Sequence, residues 1–119
     1  MAQQCVLVAE DELIIGVDLC DTVEEAGYDV AGPFESSSSA IDAIERRKPD
    51  LAILDVRLGD GEVFPLAEKL MAANVPVIFH SGEFSPSEVS GRYPQAHALA
   101  KPCPPDQIIA TMREALAEA

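Results

Sequence analysis

Four short apolar runs contain almost no polar alternation, and this restricts the fold more than any other feature. Cys5–Ala9 and Leu51–Leu54 carry no polar side chain. Val75–Phe79 is a third run and Ala96–Ala100 a weaker fourth; Tyr28–Ala31 is the least hydrophobic candidate for a fifth. A half-exposed strand alternates apolar and polar residues, whereas a parallel strand covered on both faces reads as a continuous apolar run.

The segments between the runs have helical spacing. Leu13, Ile14, Val17, Cys20 and Val23 recur at three and four, and Gly27 stops that helix. Ala40, Ile41 and Ile44 mark a second helix that ends before Pro49, with the serines at 36–39 as its N-cap and solvated first turn. Val63, Leu66, Ala67 and Leu70 mark a third, with Pro65 tolerated in its first turn. Ile108, Ile109, Met112 and Leu116 mark the last. It opens at Pro104 and Pro105, with Asp106 complementing the helix dipole. The stretch 81–94 holds Gly82, Pro86, Gly91 and Pro94 with little periodicity. It predicts a loop or a short, poorly ordered fourth helix.

Strand and helix thus alternate five times. The expectation is a three-layer α/β fold: a five-stranded parallel sheet in order 2-1-3-4-5, doubly wound, with helices on both faces. With 119 residues the chain is expected to be one domain, 1–119, with a core that needs no disulfide or metal.

Composition excludes several functions. Eight basic and 21 acidic residues leave a net charge of −13, which repels phosphate backbones, so neither nucleic acid nor an anionic membrane is an expected partner. No apolar run approaches the roughly 20 residues of a spanning helix, and no secretory signal is visible. Cys5, Cys20 and Cys103 lack CxxC spacing and read as reduced packing or surface thiols, which suits a cytoplasmic location.

Sheets of this kind place their chemistry beyond the carboxyl ends of the strands. Glu10, Asp11 and Glu12 follow the first strand, Asp55 the third, Ser81 the fourth, and Lys101-Pro102 the fifth. Each alone is an ordinary cap or turn residue. At successive strand ends they make one site. Carboxylates about 4 Å apart repel by roughly 4 kcal/mol per pair at an effective dielectric near 20. They call for a divalent cation or a raised pKa. Hard oxygen donors suit Mg2+, and a carboxylate can act as nucleophile toward phosphorus, with a lysine neutralising the phosphoryl oxygens. His80 and His97 stand near separate strands without ligand spacing and read as buried or edge-strand histidines.

The ordered set Glu10-Asp11, Asp55, Ser81 and Lys101-Pro102 resembles the receiver domain of two-component response regulators (CheY-like), and the likeness runs from Val6 to about Leu116. The resemblance implies that Asp55 is the phosphoacceptor, Ser81 the switch hydroxyl and Lys101 the phosphate contact. It also implies that Mg2+ is held by Glu10, Asp11, Asp55 and the backbone carbonyl of Arg57, and that the Lys101–Pro102 bond is cis. Phe79-His80-Ser81-Gly82 is similar to the Phe-Ala-Thr-Gly motif of one subgroup, whose members are often stand-alone receivers. Two features depart from the common receiver. Ala98 stands where an aromatic residue usually precedes the lysine by three, and the loop 56–61 lacks the usual proline. Arg57, two residues after the acceptor, and Glu83, two after the hydroxyl, read either as solvated side chains with at most a weak surface ion pair, or as an arginine that contacts the phosphoryl group or pairs with Glu83.

The implied function is that of a phosphoacceptor in a phosphorelay, not an enzyme. A histidine kinase or phosphotransfer protein would be the donor, and no DNA-binding output module is expected. The response would be read by a downstream protein on the strand 5/helix 5 side, with the segment 82–94 and strand five as the moving parts. Three alternatives stand beside it. One is a receiver-like interaction domain that is never phosphorylated. The second is a Mg2+-dependent phosphatase or phosphotransferase with an aspartyl phosphate, which would want a second Asp where Arg57 stands. The third is a flavodoxin-like flavin or nucleotide binder, which would want a phosphate loop where Glu10-Asp11-Glu12 stands.

Overall fold

The computed structural model describes residues 3–82 and 85–118. Its central sheet is built from β1 (Cys5–Ala9), β2 (Asp29–Phe34), β3 (Leu51–Leu54), β6 (Val77–Ser81) and β7 (His97–Ala100), all parallel, in the order β2-β1-β3-β6-β7. This is the expected doubly wound sheet. Two short strands, β4 (Arg57–Leu58) and β5 (Gly61–Glu62), intervene in the chain and form a separate antiparallel pair. The periodicity did not announce that pair, because two residues per strand are too few to show a period. Gly61, at φ 122°, supplies the left-handed turn residue that closes it.

Five helices cover the sheet: α1 (Leu13–Glu25), α2 (Ser37–Arg46), α3 (Phe64–Ala72), α4 (Pro86–Arg92) and α5 (Pro105–Glu118). Gly27 ends α1 with φ 97°. Ser36 caps α2 by accepting from the Ser39 N–H at 3.2 Å. Asp60, from the turn between β4 and β5, adds two further caps by accepting from the Ser37 and Ser38 N–H groups at 2.8 and 3.2 Å. Proline opens α3, and Asp106 lies in the first turn of α5. The stretch read as loop or weak helix contains the seven-residue α4, capped by Ser85, which accepts from the Glu88 N–H. The second strand runs to Phe34 rather than stopping at Ala31. The fourth begins at Val77 rather than Val75 and takes in Ser81.

Successive residues of a strand face opposite sides of the sheet, so two cores result. On one face Val6, Val8, Ile53 and Ile78 pack with Leu19 and Val23 of α1 and Ile108 and Met112 of α5. On the other, Leu7, Leu54 and Phe79 pack with Ala40, Leu66, Leu70, Val89 and Tyr93. Burying each of these large side chains stabilises the fold by about 1.5–3 kcal/mol. Cys5 and Cys20 are buried, Cys103 is half-buried, and all three are free thiols. Among the described residues no helix is long and apolar enough to cross a membrane.

Candidate functional site

Register brings the strand-end residues to one rim. Ala9 pairs with Leu54, so Glu10 and Asp55, each one residue further on, leave the sheet at the same level. Ser81 pairs with Ala100, which sets Lys101 one step beyond. Backbone bonds hold these exits: the Asp55 N–H donates to the Ala9 carbonyl at 2.9 Å, and the Lys101 N–H to the Ser81 carbonyl at 3.0 Å. The Lys101–Pro102 bond is cis, as the resemblance implied.

Lys101 is the hub. Its Nζ donates to Asp55 Oδ2 at 3.0 Å, lies 2.5 Å from Glu10 Oε1, and is 3.8 Å from Glu12 Oε1. Glu10 is 1% exposed. Burial, and then the hydrogen bond with Asp55, push its pKa up to about 7, although Lys101 pulls the other way. Burial opposes the charge on Lys101, but its bonds to Glu10 and Asp55 outweigh that and hold the ammonium above the usual lysine range. Asp11 is exposed, whereas Asp55 and Ser81 are buried. Oxygens of Glu10, Asp11 and Asp55 lie within 4.8 Å of one another. Three hard donors so close, one of them driven toward its protonated form by burial and by its carboxylate neighbour, fit a small divalent cation such as Mg2+. A depression of about 320 Å3 opens onto Asp11 and Asp55, lined also by Glu12, Arg57, Gly82 and Lys101.

The structure therefore brings together Glu10, Asp11, Asp55, Arg57 and Lys101, with Ser81 at the end of β6 beside them. The suggested partner of Arg57, Glu83, lies outside the described residues. His80 is a buried strand residue, and His97 stands on the edge strand β7. There His97 Nε2 lies 2.8 Å from Glu118 Oε1, with Glu114 close by, at the opposite end of the sheet.

One feature of the core behind the site was not visible in the sequence. Ala98, which replaces the usual aromatic, pairs with Phe79. On that side of the sheet the ring comes instead from Tyr93 at the end of α4. Tyr93 lies 5.6 Å from the Phe79 ring and 5.5 Å from the Phe64 ring, and its hydroxyl donates to Glu68 at 2.5 Å. The Arg92 guanidinium sits 3.9 Å over Phe64. Tyr93 falls in the Gly/Pro-rich stretch where no apolar period exists, so only its aromatic character could have flagged it.

Comparison with known proteins agrees with this geometry. The sequence profile of the response regulator receiver domain matches residues 6–113. The transcriptional regulatory protein PdtaR of Mycobacterium tuberculosis is 32% identical over 95 residues, covering 80% of this chain and 46% of that protein. The uncharacterized transcriptional regulatory protein YesN of Bacillus subtilis is 29% identical, covering 95% of this chain and 32% of that protein. The chain thus spans less than half the length of these curated relatives. Among solved structures, the receiver domain of the response regulator PhyR from Erythrobacter litoralis superposes with a TM-score of 0.86 at 30% identity, covering 98% of this chain and 92% of that one. PhyR from Brucella abortus gives 0.84 at 29% identity, covering 99% of this chain and 49% of that one. With the parallel sheet, the acidic rim and the half-buried lysine all in place, the chain belongs to the response regulator receiver domain family, with a role in two-component signalling.

Proposed function

We propose that this chain takes a phosphoryl group onto Asp55 from a histidine kinase or phosphotransfer protein and passes the signal on by changing a protein-binding surface. The observation that carries this reading is the contact of Lys101 Nζ with Asp55 Oδ2 at 3.0 Å, inside a three-carboxylate cluster. An Asp55 oxygen attacks the phosphorus of the donor phosphohistidine. The P–N bond breaks, the imidazole leaves and takes up a proton from solvent, and an acyl phosphate remains on Asp55. Lys101 already touches the nucleophile, so it is placed to neutralise a phosphoryl oxygen as charge moves onto it. The Ser81 hydroxyl is the donor to another. Asp11, Asp55, Glu10 and the Arg57 carbonyl are the groups that would hold Mg2+, which supplies positive charge beside the same oxygens when bound. Arg57 lines the same depression and is placed to touch the phosphoryl group.

The response is read on the side of α4, β7 and α5. The short α4 follows Ser81 and Gly82 in the chain, and Ala98 pairs with Phe79, two residues before Ser81. The chain acts as a signalling module whose changed surface a partner protein reads.

Intact-mass measurement after incubation with acetyl phosphate tests this, with and without Mg2+, beside Asp55→Asn. The expected result is a Mg2+-dependent gain of one phosphoryl mass that the variant lacks. No gain from acetyl phosphate or from a phosphorylated histidine donor, with Mg2+ present, would leave an interaction domain that is not phosphorylated.

A further inference from the structure

At the end of the sheet away from the acidic rim, the edge strand β7 begins with His97. Leu99, two residues on, packs in the core that α5 covers. Alternate residues of a strand share a face, so the His97 imidazole lies on the α5 side, where it is half-buried. α5 meets it with Glu114 and Glu118, which are four residues apart and therefore neighbours on one face of the helix. His97 Nε2 lies 2.8 Å from Glu118 Oε1. One ring nitrogen and one oxygen from each glutamate all lie within 4.8 Å of one another.

The charge at this corner is unbalanced. Like charges at this spacing destabilise a helix. They also stand at the C-terminal end of α5, where the helix dipole already presents partial negative charge. No basic residue lies in the last turn of α5 to offset them. Among the described residues neither glutamate pairs with a lysine or an arginine. A bound cation would relieve the repulsion and the dipole together.

The donor set selects the kind of cation. The acidic rim offers oxygen alone, as Mg2+ prefers. Here an imidazole nitrogen joins two carboxylates, a set suited to Zn2+ and its first-row neighbours. Zn2+ holds such donors at about 2.0–2.2 Å, so a small turn of the two exposed glutamates closes the set on one ion. A depression of about 310 Å3, lined by His97 and Glu118 with Met71, Asn74 and Gln95, opens the corner to solvent.

We propose that His97, Glu114 and Glu118 bind a divalent transition-metal ion of the Zn2+ type. His97 Nε2 exchanges its contact with Glu118 for a bond to the ion, and each glutamate gives one oxygen. Water takes the fourth position of the tetrahedron. The ion ties the end of α5 to the edge strand. The site shares no residue with the acidic rim and does not depend on phosphorylation of Asp55.

Titration of the full 15N-labelled chain with Zn2+, followed by amide and imidazole shifts, tests the proposal, with Mg2+ as comparator. Saturable Zn2+ shifts are expected at His97 and its ring and from Glu114 to Glu118. Mg2+ should leave them unmoved. Glu114→Gln and Glu118→Gln, at exposed positions that the fold does not need, and His97→Gln should each weaken Zn2+ at this corner by about tenfold or more. Zn2+ shifts confined to the acidic rim or to Cys103, Mg2+ shifts at His97 equal to those with Zn2+, or Glu114→Gln and Glu118→Gln chains that bind Zn2+ like the parent would each overturn it. None of these results bears on whether Asp55 takes a phosphoryl group.

Discussion

Phe79 and His80 are consecutive in β6 and both are buried, yet they face two different interiors. Phe79 enters a core closed by rings: Phe64 and Tyr93 lie 5.9 and 5.6 Å away, and Arg92 covers Phe64 from outside. His80 enters a core of aliphatic side chains that ends in an open groove, beside a helix with three exposed apolar residues: Leu13, Ile14 and Val17, at 65%, 79% and 43% exposure. Large planar side chains fill the space between α3, α4 and the sheet. Aliphatic side chains and prolines leave space between α1 and α5. One face of the sheet is therefore finished by the chain itself, and the other presents a cavity and apolar surface to something else.

Substitutions can break or sharpen that contrast. The largest effect is expected for Phe79→Ala, which empties the ring cluster and should cost about 3–5 kcal/mol in urea unfolding. A loss under about 1 kcal/mol would mean that the aromatic face is not the closed one. Ser81→Ala tests whether that face carries the response. The variant should still gain a phosphoryl mass, while the amide shifts of α4 and β7 on phosphorylation shrink by the equivalent of about 1–3 kcal/mol of coupling. An undiminished response would show that the signal bypasses Ser81. Tyr93→Phe removes only the hydroxyl bond to Glu68 and should cost about 1 kcal/mol, read by thermal or urea unfolding.

His80 gives the groove face a pH signature. Its folded pKa is lowered, so the unfolded chain binds the proton first, near pH 6.5 by the usual histidine value. The stability due to neutral His80 is present above that pH and is lost as pH falls toward the folded value. Glu10 acts oppositely: its raised pKa favours the folded state as pH falls through about 7 toward 4.5. Comparing the parent with His80→Phe cancels Glu10, and the variant should become relatively more stable as pH drops below about 6.5. A difference independent of pH would show that the buried ring protonates freely. The smallest effect belongs to Ile14→Ser. At 79% exposure it should change stability by less than about 0.5 kcal/mol, so any larger loss would mean that α1 is covered in solution.

Much of the architecture was legible in order. Continuous apolar runs marked β1 and β3 to the residue, because a strand with neighbours on both faces has no polar positions to blur its limits. The second strand was read short because Gly32 and Pro33 interrupt its apolar pattern, while the structure carries it through a cis Gly32–Pro33 bond to Phe34. The site was legible as a set: the residues after β1, β3 and β7 converge as expected, and Lys101 reaches both Glu10 and Asp55. Which carboxylate would be the buried one was not. Glu10 and Asp11 are adjacent in the chain, yet the first is buried and the second exposed.

The sequence by itself determined the alternation of strand and helix, the parallel sheet, and the four strand ends that could hold chemistry, because these follow from periods and neighbours along the chain. Only the tertiary structure decided that Tyr93 packs its ring against Phe64 and Phe79, that Asp60 caps α2 across the fold, and that the buried His80 ring has no hydrogen-bond partner among the described residues. Those facts depend on which side chains meet across long stretches of chain. Strand register, helix placement and the volume left between packed elements set those meetings, and none of them is written in any local pattern.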